Sequence, residues 1–309
     1  MIPRIVAECF FDPATEDLRY LPECPRLLRH SSGAAMPLAW VAIQHGKGAE
    51  QGSVNVLDLA TRTNTSFPIN GRPGFLAETD EPGVLVVGFE HQLAYFDLAT
   101  GAVGETIARI DTSPRAIIND GLAVEGGVVF GTKDLDCKLP VGALYFFDWA
   151  TGEVRVLADK QTCSNGKVLM RDVEGATLID IDSTPKRLHR YRLDRGLQRI
   201  VERSVVKPPH RLPAFPDGMR PSPDGESVVV AFYNGADLSD GLVQQIRLED
   251  GAVLCEWIVP GSPRVTCPEL VRMDGKVKLL LTTAVEGMPE AIRAHTPGAG
   301  CFYIAETML

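Results

Sequence analysis

Apolar and polar residues alternate along most of this chain in short runs, and helix-period patterns are nearly absent. Gly, Pro, Asp and Asn separate the runs, which is typical of strands joined by tight turns. One kind of segment returns along the chain as "SVNVLDLATR", "QLAYFDLATG" and "ALYFFDWATG", more weakly as "RLHRYRLDRG" and "LVQQIRLEDG", and finally as "GCFYIAE". Each copy is an alternating strand, and the first five run into a turn rich in Asp, Thr and Gly.

The spacing of these copies predicts the fold. They recur at intervals of about 40 to 60 residues over the whole chain, which is the period of the blades of a β-propeller. A blade is a four-stranded sheet, and packing blades in a ring leaves only short, protected edges. We therefore predict an all-β protein, a six-bladed β-propeller, in which residues 1–309 form a single domain. The alternative is a large β-sandwich.

Composition and charge limit the partners that we expect. The chain has 309 residues, of which 45% are apolar and 23% charged, and its net charge is −9. This acidic balance argues against nucleic acid and anionic membranes, because phosphate binding requires a basic face. No apolar run approaches the roughly 20 residues of a membrane helix, and acids interrupt the first segment where a signal peptide would be apolar. We expect a cytoplasmic protein, either a monomer or a weak homodimer.

The seven cysteines are scattered along the chain, and none forms a C-x-x-C pair. An odd number without paired spacing indicates neither a zinc finger nor a disulfide framework. We expect reduced thiols.

Four short stretches carry oxygen-bearing side chains in corners that contain Pro or Gly. They are "LPECPRLL" with Glu23, "IINDG" with Asn119 and Asp120, "TCSNGKVL" with Asn165, and "FPDGM" with Asp217. They lie about 45 to 95 residues apart, as separate blades require. Two carboxylates and two amide oxygens suit a hard divalent cation such as Ca²⁺ or Mg²⁺, and would also accept Mn²⁺, Fe²⁺ or Zn²⁺. Each stretch alone is also compatible with an ordinary turn.

Taken in order, these motifs resemble the gluconolactonase / senescence marker protein (regucalcin) family, also called the luciferin-regenerating-enzyme-like family. Members of that family show Gly-Glu-Gly-Pro, then Arg-x-Asn-Asp-Gly followed by Gly-Thr-Met, then Ser-Asn-Gly and Pro-Asp-Gly. This chain has "PECP", "IINDG" with "GTK", "SNG" and "PDG" in the same order, and the similarity spans nearly its whole length. The resemblance implies a six-bladed propeller with one divalent metal ion, Ca²⁺ above all, at the mouth of the central channel.

The resemblance also implies roles for particular residues. The implied metal ligands are Glu23, Asn165 and Asp217. Asn119 would lie beside the metal as a fourth ligand or a substrate contact, with Asp120 next to it. Asp136, in "TKDLD", falls where the family often has an acid that contacts substrate.

The chain departs from the family pattern at several positions. Ile117 stands where the family has arginine, so a contact to a sugar hydroxyl or carboxylate is missing, and Lys133 replaces the methionine of Gly-Thr-Met. Cys24, Cys163 and Cys267 all lie beside motif residues, where they could line the mouth, although we expect them to serve as small buried residues. These departures predict a less polar mouth, and hence a substrate other than the usual sugar lactone.

The resulting hypothesis is a metal-dependent lactone hydrolase that acts on a small-molecule lactone. The cation polarises the carbonyl and activates water, Asp217 serves as general base, and Asn119 orients the substrate. One alternative is a metal-binding propeller with a regulatory role and no hydrolase activity. Another is a metal-dependent enzyme for a non-sugar lactone or a related small molecule, and a third is a protein-interaction propeller without metal.

Overall fold

The structure is a computed structural model, and it describes residues 2–28, 37–44, 50–236 and 239–309. Two short strands come first, β1 (Arg4–Val6) and β2 (Glu8–Phe11), followed by helix α1 (Glu16–Tyr20). The first sheet then contains β3 (Pro22–Leu27), β4 (Leu38–Gln44), β5 (Gln51–Leu57) and β6 (Asn64–Ile69). The second contains β7 (Pro73–Glu78), β8 (Val84–Phe89), β9 (Gln92–Asp97) and β10 (Ala102–Arg109).

The same pattern continues to the end of the chain. The third sheet contains β11 (Ala116–Val124), β12 (Gly127–Asp134), β13 (Gly142–Asp148) and β14 (Val154–Gln161). The fourth contains β15 (Ser164–Arg171), β16 (Ala176–Asp182), β17 (Arg187–Leu193) and β18 (Ile200–Lys207), followed by a 3-10 turn at Pro209–Arg211. The fifth contains β19 (Phe215–Pro221), β20 (Ser227–Tyr233), β21 (Gly241–Arg247) and β22 (Val253–Val259). The sixth contains β23 (Val265–Met273), β24 (Lys276–Thr283) and β25 (Phe302–Glu306), with helix α2 (Glu290–Arg293) before β25.

The sheets close into a ring. Their first strands contact one another in the cyclic order β3, β7, β11, β15, β19, β23 and back to β3. The N-terminal strand β2 completes the sixth sheet by pairing antiparallel with β25, and β1 adds to the outer edge of the fifth sheet, parallel to β22. Six sheets arranged in this way within the described residues confirm the predicted six-bladed β-propeller. In that part of the chain, no helix has the length and apolar character needed to cross a bilayer.

The repeat in the sequence has a simple structural meaning. Its six copies coincide with β5, β9, β13, β17, β21 and β25, which are the third strands of their sheets. The aspartate that ends several copies stabilises the turn that follows. In the first two copies, Oδ1 of Asp58 and of Asp97 accepts hydrogen bonds from the backbone N–H groups two and three residues later, which is the usual reason for Asp at such turns.

Aromatic side chains fill the space between neighbouring sheets. Phe75 on β7 is fully buried and stacks on Phe130 of β12 with ring centroids 6.3 Å apart. Gly121 on β11 makes room for this ring, because a Cβ there would lie 2.7 Å from its carbon atoms. Burying such rings stabilises the contact between sheets through the hydrophobic effect and close packing.

The motif residues do not lie in turns, and that part of the sequence interpretation is wrong. Asn119, Asn165 and Asp217 lie inside the first strands β11, β15 and β19. Each of these strands shifts its register against its second strand at that point, as a β-bulge does, and bulges re-aim side chains near sites. The glycines that follow Asn165 and Asp217 do not form turns but allow the neighbouring sheet to approach the strand closely. A Cβ on Gly166 would lie 2.5 Å from the backbone nitrogen of Met219 on the neighbouring sheet.

Candidate active site

The bulges bring the predicted site residues together at one end of the channel. A cavity of about 370 Å³ is lined by Glu23, Asn119, Asn165 and Asp217, which come from four different sheets, and by Asp136. The register of β3 shifts just after Glu23, as it does beside the other three residues. The propeller ring therefore places at one mouth four side chains that are far apart in sequence.

The two carboxyl groups of this set, of which Asp217 is buried and Glu23 half-buried, carry perturbed pKa values. Burial raises the pKa of Asp217 well above its usual range, and the negative charges of Glu23 and Asp120 raise it further. Burial likewise raises the pKa of Glu23 to about 8, although the Cys267 thiol donates a hydrogen bond to its Oε2 at 3.0 Å. Oδ1 of Asp217 is buried without a hydrogen-bond partner among the described residues.

The two amides are oriented by hydrogen bonds from their nitrogen atoms. Nδ2 of Asn119 donates to the backbone oxygen of Ser164 at 2.8 Å, and Nδ2 of Asn165 donates to Oγ of Ser183 at 3.0 Å. Neither amide oxygen accepts a hydrogen bond from a residue that the structure describes. Both amides therefore keep their acceptor ends available to a ligand.

These residues fit a hard divalent cation. Within residues 2–28, 37–44, 50–236 and 239–309, no group of three or more His, Cys, Asp or Glu side chains could hold a metal ion. A cation at this mouth would therefore need amide oxygens as well as the carboxylates of Glu23 and Asp217. Mixed carboxylate and carbonyl oxygen sets are those that Ca²⁺ and Mg²⁺ accept. A cation would also stabilise the charged form of both carboxyl groups and satisfy the orphaned Oδ1 of Asp217.

Three other predicted residues have different surroundings. Asp136 lies at the rim with a half-exposed carboxylate, which accepts a hydrogen bond from Nη2 of Arg115 at 2.8 Å. The carboxylate of Asp120 is buried and accepts the N–H of Gly121 at 2.6 Å, so Asp120 acts on the cavity through its charge and does not line it. Ile117 is also buried, does not line the cavity, and is paired with Lys133 in the β11–β12 ladder.

The cysteines beside the motifs are all buried, as expected, but they are not equivalent. Cys24 exchanges weak hydrogen bonds with the backbone of Leu76 and so joins the first two sheets. Cys267 supports Glu23, and Cys163 lines the cavity. Sγ of Cys163 lies 3.4 Å from Sγ of Cys137, which also lines the cavity.

Several lining residues were not assigned to the site from the sequence. They are found where the second strands reach the mouth: Lys133 on β12, Ser183 just after β16, Tyr233 at the end of β20 and Glu286 after β24. The hydroxyl of Tyr233 donates to the backbone oxygen of Glu286 at 3.0 Å. The signal was a polar residue at or just after the end of the apolar second strand, which recurs in four of the six sheets.

A buried polar network supports the backbone that carries Asn165. Nζ of Lys167 lies 3.4 Å from Oδ1 of Asp180, with both side chains fully buried. The same ammonium donates to Oγ of Ser164 at 3.0 Å and to the backbone oxygen of Asn165. These bonds hold the backbone of the bulge in place.

Fold and site together define a class, namely a six-bladed propeller whose channel mouth carries buried carboxylate and amide side chains from separate blades. Residues 21–285 match the family described as the SMP-30/gluconolactonase/LRE-like region, and the chain belongs to this family. The family predicted from the motifs is thus confirmed.

Individual relatives agree with this assignment. The chain is 28% identical to an L-arabinolactonase of Azospirillum brasilense over 246 residues, which cover 79% of this chain and 77% of that protein. A calcium-binding regucalcin of Agrobacterium tumefaciens has the same fold, with a TM-score of 0.80, 20% identity, and coverage of 98% of this chain and 95% of that one. A gluconolactonase of Xanthomonas campestris superposes with a TM-score of 0.66 at 15% identity, covering 96% and 88% of the two chains.

Proposed function

We propose that this protein hydrolyses a lactone at the channel mouth, with one divalent cation held by Glu23, Asn165 and Asp217. The observation that carries the proposal is the pair of carboxyl groups in one cavity, of which Asp217 is buried and has an orphaned oxygen, in a chain of this family. When bound, the cation supplies Lewis acidity toward the lactone carbonyl and toward the attacking water. Ca²⁺ is our first expectation, because carbonyl and carboxylate oxygens are its preferred ligands.

The protein's own residues would then have distinct roles. Asp217 accepts the proton of the attacking water on Oδ2, while Oδ1, which has no partner among the described residues, would hold the cation. Water adds to the carbonyl carbon, the ring C–O bond breaks, and Asp217 returns the proton to the ring oxygen, which gives an open hydroxy acid. The amide of Asn119, fixed by Ser164, orients the lactone beside the cation. Burial of the cavity strengthens each of these electrostatic interactions.

The substitution Asp217→Asn tests the proposal, because it keeps the size of the side chain and removes the base. General-base catalysis contributes about 10²- to 10⁴-fold, so we expect kcat/KM to fall by that factor on arabinono- and glucono-lactones. The assay follows acid release in the presence of Ca²⁺, Mn²⁺ or Zn²⁺, and calorimetry follows cation binding. Asp172→Asn is the matched control, because Asp172 is an exposed residue whose carboxylate pairs with Arg192.

Each outcome bears on a particular part of the proposal. If Asp217→Asn retains wild-type activity while loaded with cation, Asp217 is not the base. If the wild-type protein binds a cation but opens no sugar or aromatic lactone, the protein is a metal-binding propeller without hydrolase activity.

A further inference from the structure

One wall of the cavity carries a buried lysine that the mechanism above does not use. Lys133 lies near the end of β12, lines the cavity, and is only 8% exposed. Its neighbours in the strand fix its direction. Oγ1 of Thr132 accepts the N–H of Ala143 at 2.8 Å, and the carboxylate of Asp134 is fully buried and bound by Arg115. Because successive side chains of a strand point to opposite faces, Lys133 alone of these three faces the cavity.

The β11–β12 ladder places this lysine directly opposite Ile117. Side chains of directly opposed residues lie on the same face of a sheet, with Cβ atoms about 4.5–5.5 Å apart. The apolar side chain at position 117 is buried and does not reach the cavity, whereas its partner does. A cation at either of these two positions can therefore serve the same part of the wall.

The charges around Lys133 keep it in the ammonium form. Burial by itself lowers the pKa of this lysine, but the thiolate form of Cys137 and the carboxylate of Glu286, and to a lesser extent Cys163 and Glu23, outweigh that effect and raise it. An ammonium group has three hydrogen-bond donors and no acceptor. It therefore presents to the cavity a charged donor suited to an oxygen atom.

We propose that Lys133 is a specificity-determining residue that donates a hydrogen bond to an oxygen substituent on the lactone ring, away from the ester. This inference rests on the proposed function. What it adds is the residue that would discriminate between lactones with oxygen substituents and lactones that carry only alkyl groups. The lysine supplies from β12 the cation that Ile117 does not supply from β11.

The test compares two lactones of equal ring size, L-arabinono-1,4-lactone and γ-valerolactone, with the cation that supports wild-type turnover. A hydrogen bond from a charged donor contributes about 10- to 100-fold. We expect Lys133→Met to lower kcat/KM for the hydroxylated lactone by that factor and for the alkyl lactone by less than about threefold. Lys207→Met is the matched control, because Lys207 has little exposure and does not line the cavity. It should leave both values unchanged.

Two further variants separate recognition from folding. Lys133→Arg keeps a cation and should keep the preference for the hydroxylated lactone. The double variant Ile117→Arg with Lys133→Met moves the cation to the opposed position and should restore most of the preference. A merely structural lysine would not be rescued in this way. Equal losses on both lactones, or an unchanged preference in Lys133→Met, would overturn the inference. Wild-type protein that opens neither lactone would instead count against the proposed function.

Discussion

The buried pair of Lys167 and Asp180 offers a sharp test of how the site is supported. Lys167→Met removes the ammonium and keeps a side chain of similar length, which leaves the carboxylate of Asp180 in a place without solvent contact. At 3.4 Å, the attraction between two unit charges is about 5 kcal/mol for an effective dielectric constant of about 20. Breaking a buried pair by removing one partner costs about 3–5 kcal/mol. We expect the free energy of unfolding to fall by that amount.

The loss should depend on pH in a defined direction. Burial raises the pKa of Asp180 to about 6, and the charge of Lys167 only partly offsets this. The folded state therefore binds more protons than the unfolded chain between about pH 4 and pH 6, and stability falls as the pH rises through that window. Removal of Lys167 raises the pKa of Asp180 further, so the pH range over which stability falls extends to higher pH. Lys167→Met should thus lose more stability at pH 8 than at pH 5.

Urea denaturation followed by tryptophan fluorescence measures these changes at the two pH values. Arg192→Met is the control, because its ion pair with Asp172 is shorter, at 2.6 Å, but lies at the surface, where such pairs contribute about 0–1 kcal/mol. The double variant Lys167→Met with Asp180→Leu should recover most of the loss, since it leaves no unpaired charge. The reasoning is refuted if Lys167→Met costs no more than Arg192→Met, or if its cost does not change with pH.

Two other predictions concern the wall and the bulge. The thiol oxidant diamide should join Cys137 to Cys163 in a disulfide, because their Sγ atoms are 3.4 Å apart. The disulfide should slow lactone hydrolysis until dithiothreitol reduces it, and Cys137→Ser should keep its rate in diamide. A full rate in protein shown to carry the disulfide would contradict this prediction. Gly74→Ala should lower kcat/KM by about tenfold or more, because the new Cβ would lie 2.7 Å from the backbone oxygen of Asn119 and displace that residue. Circular dichroism should show that the sheet structure is kept. Gly104→Ala, with nothing closer than 3.7 Å, should be neutral, and equal rates in the two variants would count against a positioning role for the bulge.

The fold could be predicted because the third strand of each sheet keeps a local pattern. It alternates apolar and polar residues, and in five of the six sheets it leads into a turn that contains an aspartate, such as Asp97, whose side chain binds the turn. Both features are encoded within about ten residues. Closure of the ring was less visible, because β2 joins the last sheet through backbone hydrogen bonds with β25. The sequence of a short strand does not indicate which distant strand it pairs with.

The site was predicted only in part, for a physical reason that the glycines illustrate. Asn-Gly and Asp-Gly ordinarily indicate turns, yet Gly166 and Gly218 lie in strands where a Cβ would strike the neighbouring sheet. The same two-residue motif thus occurs both in turns and in strands that approach a neighbouring sheet closely, and the sequence does not distinguish the two cases. What the order of the motifs did predict was that Asn165 and Asp217 share one mouth, which requires only that each lies at the start of a blade.

The interpretation of Ile117 shows why a substrate cannot be inferred from one position at a time. A missing arginine there indicates a less polar mouth only if no other strand supplies a cation. The register of β11 and β12 pairs this isoleucine with Lys133, which is 16 residues away in the chain but opposite it in the sheet. The wall of a cavity is made of side chains from paired strands. A positively charged residue can therefore stand on either strand of the pair and leave the charge of the wall the same. We therefore propose that positions 117 and 133 determine the substrate together, and the double variant at these two positions is the measurement that tests them as a pair.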